Sequence, residues 1–175
     1  RDIPTKVTAD GADRTNLRQI VEEKMKSNGG KCRCIRCREP RWHEVDFESV
    51  ELSRLDYDAS GGKEIFLSFD DIKNDFLLGY LRLRIPSKPF REEITKGSAG
   101  IRELHIFGNA TAVGEQGEKI QHKGFGSSLV NEAEKIAKEE FDCNKTLVTS
   151  GIGAREYYRR KLGYQRDGAY MGKRL

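Results

Sequence analysis

Gln121-His-Lys-Gly-Phe-Gly126 runs directly into Ser127-Ser-Leu-Val-Asn-Glu-Ala-Glu-Lys-Ile-Ala-Lys-Glu-Glu-Phe141, and this junction decides the fold. The hexapeptide has the Q-x-x-G-x-G spacing of a pyrophosphate cradle. Its glycines let the backbone approach an anion closely. A helix starting there aims unpaired N–H groups and its positive dipole end at the same anion. Leu129, Val130, Ala133, Ile136, Ala137 and Phe141 recur at three- and four-residue steps, which predicts that helix. Glu132, Glu134, Lys135, Lys138 and Glu139 fall mostly on the other side. A plain helix-entry turn carries the same glycines, so the neighbouring segments have to arbitrate.

Upstream, Ile101-Arg-Glu-Leu-His-Ile-Phe107 is rich in strand formers; downstream, Thr146-Leu-Val-Thr149 reads as a short buried strand. Gly151 to Gly153 form a turn. Ala154 to Leu162 read as a second helix, stopped by Gly163 and Tyr164 and followed by a strand-like tail. Before the cradle, alternation marks strands over 50–57, 64–69 and 76–85, with turns at Gly61-Gly62 and Asp70 to Asp75. Polar loops are expected over 86–100 and 109–119. The architecture expected is α/β of the α+β type: a central mixed, mostly antiparallel sheet flanked by helices. It occupies residues 50–175, after an N-terminal linker of residues 1–49.

Composition bounds the answer. A chain of 175 residues with 34% charged side chains supports one main domain with a densely charged surface. No apolar run approaches the ~20 residues of a membrane span, so no membrane partner is expected. Arg1-Asp-Ile-Pro shows neither an initiator Met nor a signal pattern, and the chain reads as a piece of a longer protein. Four cysteines without a secretory signal suggest a reducing, cytoplasmic setting and metal chemistry.

Within the linker, Leu17, Ile20, Val21 and Met25 give one helix an apolar face, with Thr15 or Asn16 as cap and Asn28-Gly-Gly30 as stop. Cys32, Cys34 and Cys37 follow as C-x-C-x-x-C. Three thiols so close suit tetrahedral zinc, and the surrounding arginines favour the thiolate form. The fourth ligand is open: His43 is nearest in sequence, Cys143 and His105 are distant, and residues outside the chain remain candidates. Trp42 and Phe47 are expected to pack over the cysteine loop, and Cys143 to fill a small space beside a strand. Lys31, Arg33, Arg36, Arg38 and Arg41 face only Glu39 within eleven residues, a local excess equal to the +4 of the whole chain. Such a cluster suits phosphate contact, as in nucleic-acid binding, and equally a solvated basic loop.

The order strand, glycine turn, helix, strand, helix resembles the GNAT superfamily of N-acetyltransferases. A sharper resemblance lies in Arg102-Glu-Leu-His105, Gln121-His-Lys-Gly-Phe-Gly126, Ser150-Gly-Ile-Gly-Ala-Arg-Glu-Tyr-Tyr158, Gly168-Ala-Tyr-Met171 and Cys32-Arg-Cys-Ile-Arg-Cys-Arg-Glu39. With Asp2-Ile-Pro4 and Asn16-Leu-Arg18, these are similar to the C-terminal part of the Elongator catalytic-subunit family. That family joins a radical-SAM domain to an acetyltransferase domain and modifies the tRNA wobble uridine.

The resemblance implies acetyl-CoA as cofactor, held by Gln121, Lys123, Gly124, Phe125, Gly126 and Ser127, with the backbone of Leu104, His105 and Ile106 along the pantetheine arm. Tyr157 and Tyr158 are the candidates for the sulfur-side acid. One more residue stands between this pair and Gly163 than in the family pattern. On a helix that turns the phase by ~100°, so which tyrosine faces the thioester is open. Glu103 and His105, two apart on one strand face, are candidate bases and equally ordinary sheet residues. Implied partners are tRNA, the N-terminal radical-SAM domain of the same enzyme, and a second copy or other Elongator subunits.

The implied reaction uses S-adenosylmethionine and an iron–sulfur cluster in the full-length parent. A radical activates the acetyl methyl for attachment to uridine, and thioester cleavage leaves a carboxymethyl group. The C-x-x-x-C-x-x-C of a radical-SAM cluster is absent from this chain. Two other readings stay open: an ordinary lysine (histone-type) acetyltransferase, and a zinc-stabilised RNA-binding module without catalysis.

Overall fold

The computed structural model describes residues 16–108 and 124–175. Gln121, His122, Lys123, Thr15, Asp2 to Pro4 and the loop expected over 109–119 lie outside the described residues. The backbone divides into two compact units, Arg1–Arg38 and Glu39–Leu175.

In the first unit, helix α1 spans Leu17–Ser27. It ends as its sequence requires: Gly29 takes φ +72°, its N–H bonds Lys26 O at 3.0 Å, and Gly30 N–H bonds Met25 O at 2.8 Å. That pair of bonds satisfies carbonyls the last turn would otherwise leave open. The apolar stripe does not form a core. No residue of α1 is buried, and Leu17 and Val21 are about half exposed.

The second unit is a seven-stranded sheet. Its strands are β1 (Val50–Ala59), β2 (Gly62–Asp71), β3 (Phe76–Ile85), β4 (Ser98–Ile106), β5 (Lys145–Val148), β6 (Gln165–Asp167) and β7 (Tyr170–Arg174), in the order β1-β2-β3-β4-β5-β7-β6. Neighbours are antiparallel except β4 and β5. Parallel strands need a crossover, and helix α2 (Phe125–Glu139) lies within it. Helix α3 (Arg155–Leu162) follows β5 through a 3-10 turn at Ile152–Ala154. The mixed, mostly antiparallel sheet with flanking helices is the architecture the sequence led us to expect. The β1–β2 hairpin turns on Ser60 and Gly61, both at positive φ (46° and 70°), which matches the strand twist.

Helix α2 buries Leu129, Val130, Ala133, Ile136 and Ala137, the stripe read from the sequence. They pack on Ile65 and Leu67 of β2, Leu81 and Leu83 of β3, and Ala99 and Ile101 of β4, all at most 1% exposed. Each fully buried Leu or Ile contributes about 1.5–3 kcal/mol. Cys143 sits in the same cluster, as the small packing residue expected, and burial pushes its thiol upward. Trp42 departs from expectation. It is 75% exposed, with its ring beside His43 and Arg41 over its face, so it is no packing residue.

Asp71 organises the β2–β3 turn from a buried position. Its carboxylate accepts from Ser49 Oγ (2.7 Å), the backbone N–H of Asp46 (2.9 Å), and Asn74 N–H and Nδ2 (3.0 and 2.8 Å). Desolvation opposes ionisation, but these donors prevail and hold the carboxyl at about 2. Asp71→Ala should therefore strand several donors and cost about 2–4 kcal/mol, read as a lowered urea midpoint. The stabilisation should be present above the unfolded carboxyl value and fade as pH falls through about 2, making the variant's acid unfolding less steep.

Candidate functional site

The site starts from a sheet that splits. Strands β4 and β5 pair from Ser98↔Lys145 to Ile101↔Val148 and then part, although β4 continues to Ile106. At the same point Arg102 is an extra residue against β3, because Arg82 pairs with Glu103 and Leu83 with Ile101. Such a bulge bends its strand and increases local twist. The backbone of Arg102 to Ile106 therefore has an edge without a β5 partner, and a cleft of about 240 Å³ opens between the strands. Ile101 to Leu104 line one side, and Val148 to Gly151 with Ala154 and Tyr158 line the other.

Helix α2 begins next to Ile106, the last residue of β4. Its N-cap Gly124 is left-handed (φ +78°), no side chain among the described residues caps the helix and no acidic residue occupies its first turn. The first intrahelical bond runs from Ser128 N–H to Gly124 O. The N–H groups of Phe125, Gly126 and Ser127 have no intrahelical acceptor and project with the positive end of the dipole. Phe125 anchors the start on Phe69 of β2, ring centroids 4.7 Å apart. A Cβ at Gly126 would lie 3.1 Å from Tyr157 Oη and 3.5 Å from Ile106 Cγ1, so glycine is what lets β4, α2 and α3 meet.

The tyrosine pair divides. Tyr157 is 37% exposed, and its hydroxyl lies 3.2 Å from Ser127 Oγ, over the first turn of α2. Tyr158 is 6% exposed, lines the cleft and meets Tyr157 and Tyr164 edge-on. Its hydroxyl has no hydrogen-bond partner among the described residues, and burial pushes its pKa up to about 12. Tyr158, not Tyr157, lines the opening between β4 and β5, where it packs edge-on against Tyr164.

Glu103 lines the cleft but is engaged, accepting from Tyr80 Oη at 2.5 Å with Arg82 at 3.7 Å. Burial, then Glu103, raises Tyr80 to about 12. His105 does not line the cleft; its ring sits on the same strand face as Glu103, against Phe107 and near Tyr80. Leu104 lines the cleft and Ile106 touches the space beside Gly126. Gln121 and Lys123 fall outside the described residues. Sequence reasoning missed Arg102 as a bulge residue and the Thr149–Gly151 wall. A bulge depends on the partner strand's register, which leaves no local signal.

In the first unit, the sulfurs of Cys32, Cys34 and Cys37 lie within 4.8 Å of one another. The backbone N–H of Cys37, with Cys32 and Arg18 adding, lowers Cys34 to about 6. Desolvation first, then the neighbouring thiols, raises Cys37 to about 11. Three sulfurs so placed do not ionise together without a cation, and their spacing fits one tetrahedral ion. Among the described residues the metal-competent cluster holds these three alone. His43 stacks on Phe76 in the other unit, Cys143 is buried in the core, and His105 is on β4. Glu22 Oε1, 3.9 Å from Cys37 Sγ, is held by Arg18 at 2.8 Å. Around the sulfurs, Arg36 is exposed, while Lys31, Arg33 and Arg38 are engaged in interactions of their own. Arg41 lies 3.9 Å from Glu39.

A left-handed glycine entry into a helix, together with two splayed parallel strands, is the arrangement of an acetyltransferase fold. The chain belongs to the acetyltransferase (GNAT) family, whose model matches residues 31–164. Over its whole length it is 52% identical to the tRNA uridine(34) acetyltransferase of Methanocaldococcus jannaschii, covering 34% of that protein. It is likewise 46% identical to Elongator complex protein 3 of Saccharomyces cerevisiae, covering 33% of it. The solved structure of archaeal Methanocaldococcus infernus Elp3 with an N-terminal deletion superposes with a TM-score of 0.85 at 53% identity, covering 100% of this chain and 43% of that one. The chain thus spans about a third of the length of these curated relatives.

In metal-free protein, alkylation of Cys34 should follow a titration near pH 6, with Cys37 lagging into the alkaline range. Arg18→Gln should shift the Cys34 profile upward. Peptide-resolved labelling rates across pH check both.

Proposed function

We propose that this chain is the acetyl-CoA-binding part of an enzyme that modifies the wobble uridine of tRNA, forming a carboxymethyl group with tRNA-dependent thioester cleavage, in the cytoplasm. The observation that carries the reading is the placement of the α2 start beside Ile106 of β4 and against Tyr157, whose neighbour Tyr158 lines the β4–β5 cleft. The names of the relatives supply the substrate class.

When bound, acetyl-CoA supplies an activated acetyl thioester. The N–H groups of Gly124, Phe125, Gly126 and Ser127 take the pyrophosphate, joined by Gln121 and Lys123. The unpaired edge of Leu104, His105 and Ile106 takes the pantetheine amides, as an exposed strand edge takes another strand. The buried Tyr158 hydroxyl stays protonated to about 12 and would be the proton donor on the sulfur side of a bound thioester. Tyr157 acts at the other end, holding Ser127 and the helix start. Glu103 is the carboxylate beside the acyl position; His105 contributes backbone rather than its ring.

Cys32, Cys34 and Cys37 hold one zinc that orders the basic segment, and Lys31, Arg33, Arg36, Arg38 and Arg41 contact tRNA phosphates. S-adenosylmethionine and an iron–sulfur cluster belong to the radical-SAM domain of the longer protein. That domain, and other Elongator subunits or a second copy, are the protein partners.

The test is acetyl-CoA hydrolysis by the full-length enzyme with and without tRNA. Gly126→Arg should abolish acetyl-CoA binding in folded protein. Tyr158→Phe should lower tRNA-stimulated turnover by about 10²-fold, with Tyr157→Phe less affected. Robust transfer to lysine peptides without tRNA would overturn the reading in favour of an ordinary acetyltransferase. Metal analysis should find about one equivalent of zinc, lost in Cys→Ser variants, and tRNA affinity should fall steeply with salt.

A further inference from the structure

A second, larger cavity of about 500 Å³ adjoins the cleft and shares its walls Ile101, Arg102 and Thr149. Its volume falls within the ~300–1,000 Å³ that encloses a small organic ligand. Its floor includes Gly100, where an added Cβ would meet nothing within 4 Å. The charged residues that line it are Arg84, Lys88 and Arg102, with no carboxylate among the lining side chains. Phe90, 73% exposed, and Tyr170 provide aromatic surface.

The walls are built rather than incidental. The loop that follows Lys88 and Phe90 is tied down at Glu93 and Thr95, by Lys145 Nζ on Glu93 O (2.7 Å), Ala169 N–H on Glu93 Oε1 (3.2 Å) and Thr95 N–H on Ser98 Oγ (3.0 Å). Arg91 sits over the Tyr170 ring at 6.0 Å. Arg102 is held from below by Glu64, which is 1% exposed and accepts from Arg102 Nη1 at 2.6 Å. The other Glu64 oxygen has no hydrogen-bond partner among the described residues. Arg102 nevertheless remains 55% exposed at the junction of the two cavities.

From this we infer that the chamber binds one nucleotide of the single-stranded RNA acceptor. Its base lies against Phe90 and Tyr170, and its phosphate is neutralised by Arg102 and Lys88. A cationic lysine acceptor would meet like charge here, whereas a flat anionic ligand meets aromatic faces and guanidinium together. The inference rests on the RNA-acceptor reading above, and adds a base-binding site separate from the basic segment of residues 31–41. Glu64 is a positioning residue, acting through Arg102.

The probe is a uridine pentanucleotide carrying one 4-thiouridine, added to the full-length enzyme. Photocrosslinks should map to Phe90 or Tyr170. Phe90→Ala, at an exposed position that leaves the fold alone, should weaken oligouridylate binding about ten-fold, as loss of one stacked base does. Lys88→Gln should reduce the salt slope by about 0.7, the value for one phosphate contact on a single strand. Arg102→Gln should do the same and add loss of tRNA-stimulated thioester cleavage. Acetyl-CoA affinity should not change in Phe90→Ala.

Crosslinks confined to other residues, with oligouridylate affinity indifferent to Phe90→Ala and Lys88→Gln, would overturn the inference while leaving the proposed function intact. Crosslinking at Phe90 without any tRNA stimulation of thioester cleavage would do the reverse. It would support the nucleotide site and overturn the proposed reaction.

Discussion

Two parallel strands that share four residue pairs and then separate are the constraint on which the rest of this structure depends. Parallel pairing would ordinarily satisfy both edges of β4 along its length. The bulge at Arg102 bends β4 out of register with β3 at the step where β5 leaves, so the two irregularities reinforce each other. The result is a run of backbone donors and acceptors at the edge of a well-packed core. Leu81, Leu83 and Ile101 stay within 1% exposure beside it. The opening is therefore local, and the α2 side of the sheet supports it.

The crossover helix and its partners hold that opening in shape. Tyr164, fully buried, shares a hydrogen bond of 3.0 Å with Thr146 of β5 and donates to Glu134 of α2 at 2.8 Å. Lys173 of β7 completes the network with Glu134 at 2.6 Å. Desolvation raises the Tyr164 hydroxyl far above its ordinary range, so it remains a donor throughout the working pH range. A satisfied buried network of this kind specifies one arrangement of α2 against β5 and β7. Because Tyr158 packs edge-on against Tyr164, the same network sets the tyrosine that enters the cleft. Arg54 adds a second tie on the far side, bridging Asp56 of β1 and Glu140 at the end of α2 with distances of 2.6–2.7 Å.

Charge is handled differently in the two units. In the first, sulfurs crowd together and their ionisation is antagonistic, one lowered and one raised, which is the electrostatic condition a bound cation relieves. In the second, carboxylates and guanidiniums are interleaved on the sheet face opposite the α2 core. Glu64 is set among Arg82, Arg84 and Arg102, and Glu103 is set between Tyr80 and Arg82. Within that cluster Arg102 still faces outward, its side chain 55% exposed.

What the sequence determined by itself was whatever has a local period or a local backbone demand. The α2 stripe from Leu129 to Ala137, the strand β3 over Phe76–Ile85, the stop at Gly29 and Gly30, and the left-handed entry at Gly124 all follow from residues within a few positions of one another. The same holds for the three neighbouring cysteines, whose proximity six residues of chain almost guarantee. The apolar residues of α1 and Trp42 show the limit of that kind of reading, since apolar character without a facing surface leaves them exposed. Tertiary structure alone decided which tyrosine enters the cleft, because one residue of helical phase is settled by packing on Tyr164. It alone made Arg102 a bulge and joined the cleft to a cationic, aromatic chamber. Those features arise from strand register and from loops more than fifty residues apart, such as Glu93 with Lys145 and Ala169, and no stretch of sequence carries such a meeting within itself.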